Sequence, residues 1–312
     1  MIVIRHTQGN DELARVYVGE LGDKSLIEFV ESVQPPHPLE EKWVLIVSTL
    51  KGCPVGCAMC DAGGHFRGRL TAGEILEQID LMIRRRFPDG RVPVRKLKIQ
   101  FARMGDPAFN DAVPEVLRRL PALYNAPGLM PSISTIAPAG RERFFEELLT
   151  VKRQHYSDGR FQLQFSLHTS DEQARRRLIP ARTWSFAQMA DYSRLFFERG
   201  DRKITLNFAA PKGFPLDPAE LRRVFSPDIF LIKITPINPT NASYASGLES
   251  LIDPNEPEAA RALCRRFEEV GYKTILSIGE LEENRIGSNC GMYVVGVRQE
   301  CACAEQALDV TP

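Results

Sequence analysis

Cys53, Cys57 and Cys60 lie in the run Lys51-Gly52-Cys53-Pro54-Val55-Gly56-Cys57-Ala58-Met59-Cys60. Thiolates spaced C-x3-C-x2-C on one loop can converge on one soft metal centre. A cubane iron–sulfur cluster has four irons and usually four cysteines, so three ligands leave one iron open to chemistry. Structural zinc takes four ligands, commonly as two C-x2-C pairs, and no second pair exists. A disulfide framework suits a short secreted chain, not one of 312 residues whose start, Met1-Ile2-Val3-Ile4-Arg5-His6, lacks the order of a signal peptide. The spacing therefore points to a [4Fe-4S] cluster with one unligated iron.

The elements that must position this loop alternate along the chain. A short apolar strand, 44–47, feeds the cysteines. Thr71-Ala72-Gly73-Glu74 reads as a capping box, and Ile75, Leu76, Ile79, Met82 and Ile83 form the apolar stripe of the helix it starts. Strands follow near 95–101, 131–135, 161–168, 203–208, 229–235 and 273–278. Helices separate them near 111–120, 140–150, 171–178, 185–199, 217–224 and 255–270. This order predicts parallel strands with crossover helices.

Parallel strands covered on both faces usually read as continuous apolar runs, but here they alternate. Phe161, Leu163, Phe165 and Leu167 share one face, and Gln162, Gln164, Ser166 and His168 the other. Leu97, Ile99 and Phe101 oppose Lys98 and Gln100; Ile204, Leu206 and Phe208 oppose Thr205 and Asn207; Phe230, Ile232 and Ile234 oppose Lys233 and Thr235. With helices over the apolar faces, the polar faces line a wet or ligand-filled interior. The prediction is an α/β fold with a full or partial barrel whose site gathers at the carboxyl ends of the strands. A one-sided antiparallel sheet is the alternative that the crossover helices argue against. Three pieces are expected: an amino-terminal β extension over 1–41 with a strand pair around 14–31, a barrel over 42–280, and a loop with a cysteine-containing tail over 281–312. Gln34-Pro35-Pro36-His37-Pro38 makes a stiff link between the first two.

Composition narrows the partners. Forty basic and 40 acidic side chains give zero formal net charge, so there is no global pull toward a phosphate backbone. Arg84-Arg85-Arg86 and Arg175-Arg176-Arg177 read as solvated helix faces. No apolar run approaches a membrane span, and seven cysteines without a secretory context point to a reducing cytoplasm.

The cysteine spacing after the first strand of an α/β barrel resembles the radical SAM superfamily, and the likeness narrows to its RlmN/Cfr branch from about Glu28 to Gly291. Ser48 to Thr71 is similar to that family's cluster loop, with Met59 where an aromatic often precedes the last cysteine. Met104-Gly105-Asp106-Pro107 resembles its GEP motif, with Asp for Glu. Ser134-Thr135 resembles its Ser-Thr pair, Ser166-Leu167-His168 its SLH segment, and Pro236-Ile237-Asn238-Pro239 its P-F-N-P. Asn289-Cys290-Gly291 resembles its A-C-G segment. The resemblance implies a partial (β/α)6-type barrel, a [4Fe-4S] cluster on Cys53, Cys57 and Cys60, and S-adenosylmethionine (SAM) chelating the open iron. It implies SAM contacts at Gly105, Asp106, Ser134, Ser166, Leu167, His168 and Asn238. Catalytic roles fall to Cys290, as carrier of a methyl group, and Glu28, as proton acceptor. An external electron donor of flavodoxin or ferredoxin type, and RNA as substrate, are implied partners.

Three departures accompany the likeness. The family keeps a second catalytic cysteine seven residues before the first cluster ligand; Ile46 stands there, so product release through that thiol is closed, and Cys301 or Cys303 is the available substitute. The family's amino-terminal helical domain, which helps grip RNA, is not recognisable, and the zero net charge also weighs against ribosomal RNA. Cys290, Cys301 and Cys303 together offer the alternative of a second metal centre, in a radical SAM enzyme of another reaction class acting on a small molecule or peptide. Cys264 lies on the apolar face of its helix as a buried filler. Glu28 by default is an exposed strand residue.

Overall fold

The computed structural model describes residues 1–33, 35–253 and 255–278, together with Ile286, Tyr293, Val294 and Gly296. Three strands open the chain, β1 (Val3–Gly9), β2 (Ala14–Glu20) and β3 (Leu26–Val33). Then come β4 (Trp43–Val47), the short β5 (Leu50–Lys51) and β6 (Gly68–Arg69), and α1 (Ala72–Arg86). Next are β7 (Leu97–Phe101), a 3-10 turn (Pro107–Phe109), α2 (Val113–Leu123), β8 (Leu129–Thr135) and α3 (Glu142–His155). β9 (Gln162–Ser166), α4 (Glu172–Leu178), α5 (Phe186–Phe196) and β10 (Ile204–Ala209) follow. The last are α6 (Pro218–Val224), β11 (Phe230–Thr235), α7 (Asn241–Ala245), α8 (Pro257–Glu269) and β12 (Lys273–Leu276).

One ten-stranded sheet runs β1-β2-β3-β4-β7-β8-β9-β10-β11-β12. Every pair from β4 to β12 is parallel, as the crossover helices demand. Among the described residues the sheet does not close on itself, so the barrel is partial. Burial alternates as the sequence does: Leu97, Ile99 and Phe101 are buried while Lys98 and Gln100 are half-buried, and β11 repeats the pattern. The apolar faces meet the helices in one core that includes the predicted α1 stripe. Burying each such side chain stabilises the fold by about 1.5–3 kcal/mol. The Thr71–Glu74 capping box is present.

The amino-terminal strands differ from expectation. There are three of them, and β3 pairs antiparallel with β4, Val30 opposite Ile46, so they continue the barrel sheet instead of forming a piece apart. The reason is the exposed edge of β4, whose backbone groups need partners. The Arg84–Arg86 run is likewise not a plain solvated face. Arg85 and Arg86 both bond the carboxylate of Glu31, a β3 residue that is 1% exposed, and Arg85 also pairs with Asp11. Tyr17 donates its hydroxyl to the same Glu31 at 2.5 Å. The last turn of α1, favourable for cations on dipole grounds, thus clamps the added strands to the barrel.

Candidate functional site

The cysteine loop leaves the carboxyl end of β4 and is held by backbone and side-chain bonds before any metal is considered. Thr49 and Leu50 donate their amides to Met104 O at 3.0 and 3.1 Å, zipping the loop to the one after β7. Gly105 is obligatory in that second loop: its φ is +86°, and an added Cβ would meet Leu50 at 2.4 Å. Ala58 N bonds Leu178 O at 3.0 Å, and Thr240 Oγ1 bonds Met59 O at 3.0 Å. Asp61 accepts from the backbone amides of Asn241 and Ala242 at 3.1 and 2.7 Å and from Asn241 Nδ2 at 3.1 Å. A buried carboxylate beside Cys60 therefore caps the start of α7 and ties the first βα loop to the sixth strand's connection across the open barrel. Asp61→Ala leaves those donors unsatisfied and is expected to cost about 2–3 kcal/mol. Urea unfolding measures it, and a loss within about 0.5 kcal/mol would contradict the tie.

Cys53, Cys57 and Cys60 are half-buried and form no disulfide with a described residue. No group of three His, Cys, Asp or Glu side chains among the described residues is arranged to hold a single metal ion. In a cubane each cysteine binds a different iron, so its ligands stand around a cluster rather than around one ion. Burial, the neighbouring Cys53 and the Asp106 carboxylate push the Cys57 thiol up to about 12. Metal loading must accordingly displace its proton.

Cys57 and Cys60 open onto a cavity of about 260 Å³ whose wall includes Ser166, His168, Asn207, Thr235 and Asn238, with Met59, Ile136 and Ile237 as apolar patches. It lies at the carboxyl ends of β8 to β11, where the alternation places polar side chains inward. Of the residues expected to contact SAM, Ser166, His168 and Asn238 are gathered here with two of the cluster cysteines. Leu167 between them turns into the core and is fully buried. Gly105, Asp106 and Ser134 are not in the wall. Asp106 instead accepts from Ala108 N (2.9 Å), Thr135 Oγ1 (2.8 Å) and Ile136 N (2.6 Å), shaping the end of β8. Burial pushes its carboxyl up to about 6 despite those donors.

His168 has a φ of +67°, a left-handed backbone that is costly for a non-glycine residue and often marks a functional position. Its Nδ1 accepts from Ala209 N at 3.0 Å, so the neutral ring carries its proton on Nε2. Burial, helped by the Arg175 charge, lowers its pKa from 6.5 to about 3. The unfolded chain takes up that proton near pH 6.5 while the folded one does not. His168 therefore removes stability as pH falls, about 3 kcal/mol between pH 7 and pH 4. Unfolding of the metal-free chain at both pH values should show that loss in the wild type and a correspondingly smaller one in His168→Asn. Equal slopes would refute it.

The structure adds residues that sequence reasoning did not single out. Asn207, foreshadowed by the alternation of β10, reaches the cavity with an Oδ1 that has no hydrogen-bond partner among the described residues. Arg175 was read as part of a solvated run, yet it is 3% exposed. It donates to Ile136 O and Ser166 O, both at 2.8 Å, and to Thr183 Oγ1 at 2.6 Å. Helical periodicity explains the difference: Arg175 faces inward and Arg176 and Arg177 outward. Nothing in the spacing singled out Asp61.

Glu28 is another correction. It is fully buried, pairs with Arg103 at 2.7 Å and accepts from Val294 N at 2.8 Å. It is absent from the cavity wall and held as a partnered carboxylate. Ile46 is packed with Leu13, Val16 and Val30. Cys290, Cys301 and Cys303 lie outside the described residues.

No protein-family model matches the chain. Among curated proteins it is 30% identical over 184 residues to a probable dual-specificity RNA methyltransferase RlmN from Thermus thermophilus, covering 56% of this chain and 48% of that protein. It is 27% identical over 307 residues to the similarly named protein from Frankia alni, covering 93% and 67%. The chain thus spans about half the length of the first of these relatives. Its fold matches a radical SAM methyltransferase from Sphaerobacter thermophilus with a TM-score of 0.72 at 20% identity, covering 93% of this chain and 80% of that one. It also matches Streptococcus suis SuiB bound to S-adenosylmethionine with a TM-score of 0.52 at 15% identity, covering 78% and 51%. With the cysteine loop at the mouth of a partial barrel, the chain is similar in sequence to proteins named RlmN and shares the fold of a radical SAM methyltransferase.

Proposed function

We propose that the protein is a radical SAM enzyme that carries a [4Fe-4S] cluster on Cys53, Cys57 and Cys60, binds SAM in the adjoining cavity, and acts as an RlmN/Cfr-like methyltransferase through Cys290. The observation that carries this reading is the single cavity uniting Cys57 and Cys60 with Ser166, His168 and Asn238. The residues present fit both groups. Three cysteines outside any disulfide among the described residues, on one preformed loop, suit a cluster with one open iron. The wall offers amide and hydroxyl groups for a polar amino acid moiety and apolar patches for a nucleoside, and the partnerless Asn207 Oδ1 awaits a donor.

Cys53, Cys57 and Cys60 would hold the cluster, which when bound would supply the one-electron chemistry for reductive cleavage of SAM. The chain's own residues hold and orient. His168 presents an Nε2–H, Asn238 and Asn207 present amides, and buried Arg175 places a positive charge near Cys57, where a thiolate-bound cluster adds negative charge. An external one-electron donor is required, and RNA is the substrate class that the names of the curated relatives suggest.

Mass spectrometry of the purified protein tests the methyl-transfer step: an added methyl on Cys290 supports it, and an unmodified, dispensable Cys290 overturns it. A second reading, a radical SAM enzyme of another reaction class, is favoured by Ile46 at the place of the family's second catalytic cysteine. Label from SAM leaving as both S-adenosylhomocysteine and methionine supports methyl transfer. Methionine alone supports the second reading.

A further inference from the structure

At the opposite end of the barrel from the cysteines lies a second cavity, of about 480 Å³, where the strands begin. Lys42 stands before β4, Arg95 and Lys96 before β7, Arg160 before β9 and Arg202 before β10, and all five line it. The ion pairs among the described residues engage many of the other cations, but none of these five. The one carboxylate in the wall, Glu41, is bonded to His37 at 3.2 Å. Arg202 and Arg160 spend only their Nε groups, on Gly159 O and Ser157 O.

The charge continues inward. Lys98, one residue inside β7 on the same face as Lys96, and Lys233 of β11 point into the polar interior. Neither makes an ion pair with a described residue, and both keep part of their surface open to the barrel's interior while protein surrounds them. Burial first, then Lys233, Lys96, Lys42 and Arg202, lowers the pKa of Lys98 well below its usual value. Burial, Arg202 and Lys42 lower that of Lys96 to about 8. In a chain of zero net charge, five cations around one recess, with Lys98 and Lys233 further along the same interior, are a standing cost that a bound anion would relieve.

We propose that this recess is a binding site for a small polyanion of phosphate type, up to the size of a nucleotide. Arg95, Arg160 and Arg202 present guanidinium groups suited to bidentate contact with phosphate oxygens at the rim. Lys98 and Lys233 lie behind that rim, and an anion bound in the recess would favour their charged forms. The volume falls in the range of small-molecule sites. The site is independent of the cluster cavity and of the reaction proposed there.

Thermal unfolding and calorimetry on the full-length chain test it, with inorganic phosphate and ATP as probes and sodium chloride at matched ionic strength as control. Millimolar ATP or phosphate should raise the Tm by about 5 °C over the chloride control. Arg95→Ser combined with Arg160→Ser changes exposed residues only and should weaken ATP binding about tenfold or more, the loss of two charge-assisted contacts. Lys98→Met should raise the Tm of the ligand-free chain and abolish the probe-dependent shift. No shift beyond chloride with either probe would overturn the proposal. So would unchanged affinity in the double variant, or binding of a short RNA oligonucleotide that phosphate and ATP do not compete away.

Discussion

Replacing Cys53, Cys57 and Cys60 together by alanine is expected to leave a folded protein that takes up no cluster iron and releases no 5′-deoxyadenosine from SAM above background. Folding should survive because the loop's shape rests on other groups. Asp61 bonds the start of α7, Thr240 bonds Met59 O, and Leu50 and Thr49 bond Met104 O. The thiols are half-buried and make no disulfide among the described residues. Circular dichroism, iron quantitation and product chromatography on reconstituted protein check the three parts separately. Iron that persists in the variant would instead reveal a second centre, for which Cys290, Cys301 and Cys303 are the available thiols. Undiminished SAM cleavage would sink the assignment of the loop.

Arg175→Met is expected to destabilise the fold by about 2–4 kcal/mol, the scale of losing several hydrogen bonds from a charged donor and leaving buried acceptors unsatisfied. Two buried carbonyls, Ile136 O and Ser166 O, lose the donor that bridges the ends of β8 and β9. Thr183 loses its partner too. Arg175→Lys retains the charge but not the fork that reaches all three, so it should recover only part of the loss. Arg176→Ala, one residue along and exposed, should change stability by less than about 0.5 kcal/mol. Urea unfolding of the three variants decides. If Arg175→Met falls within 1 kcal/mol of Arg176→Ala, the bridge is not a stabilising feature. The two carbonyls it spans flank the cavity, so the same substitution should weaken SAM binding in equilibrium dialysis.

Much of the barrel was legible because two periodicities ran together. A period of two along the strands separated Gln164 and Ser166 from Leu163 and Phe165, and a period of 3.6 marked α1. Parallel pairing followed from the crossover helices, and the position of the site followed from the cysteine loop after β4. Strand alternation turned Ser166, His168 and Asn207 inward, while Asn238 was marked only by the resemblance of its segment, and the fold brings all four to one cavity.

Charged residues were read less well, for a physical reason. A run such as Arg175-Arg176-Arg177 has the same local composition whether one of its members is buried or none is. Burial depends on which carbonyls arrive from β8 and β9, and those are distant in sequence. Glu28 and Glu31 stand three apart on β3, on opposite faces, with no local sign of burial, yet both are buried because Arg103, and Arg85 with Arg86, come to meet them. A strand edge gives no local sign of what will cover it, which is why β1 to β3 looked separable.

By itself, then, the sequence determined where the candidate site lies, at one end of the barrel, because cysteine spacing and strand alternation are local properties of a covalent chain. The tertiary structure decided everything that depends on charges meeting at a distance. Arg175 behind the cluster loop, the Glu28–Arg103 pair, the Asp61 tie and the ring of cations at the far mouth are formed by residues tens to hundreds of positions apart. Electrostatic energies depend on separation and on the surrounding dielectric, and only the folded chain sets those.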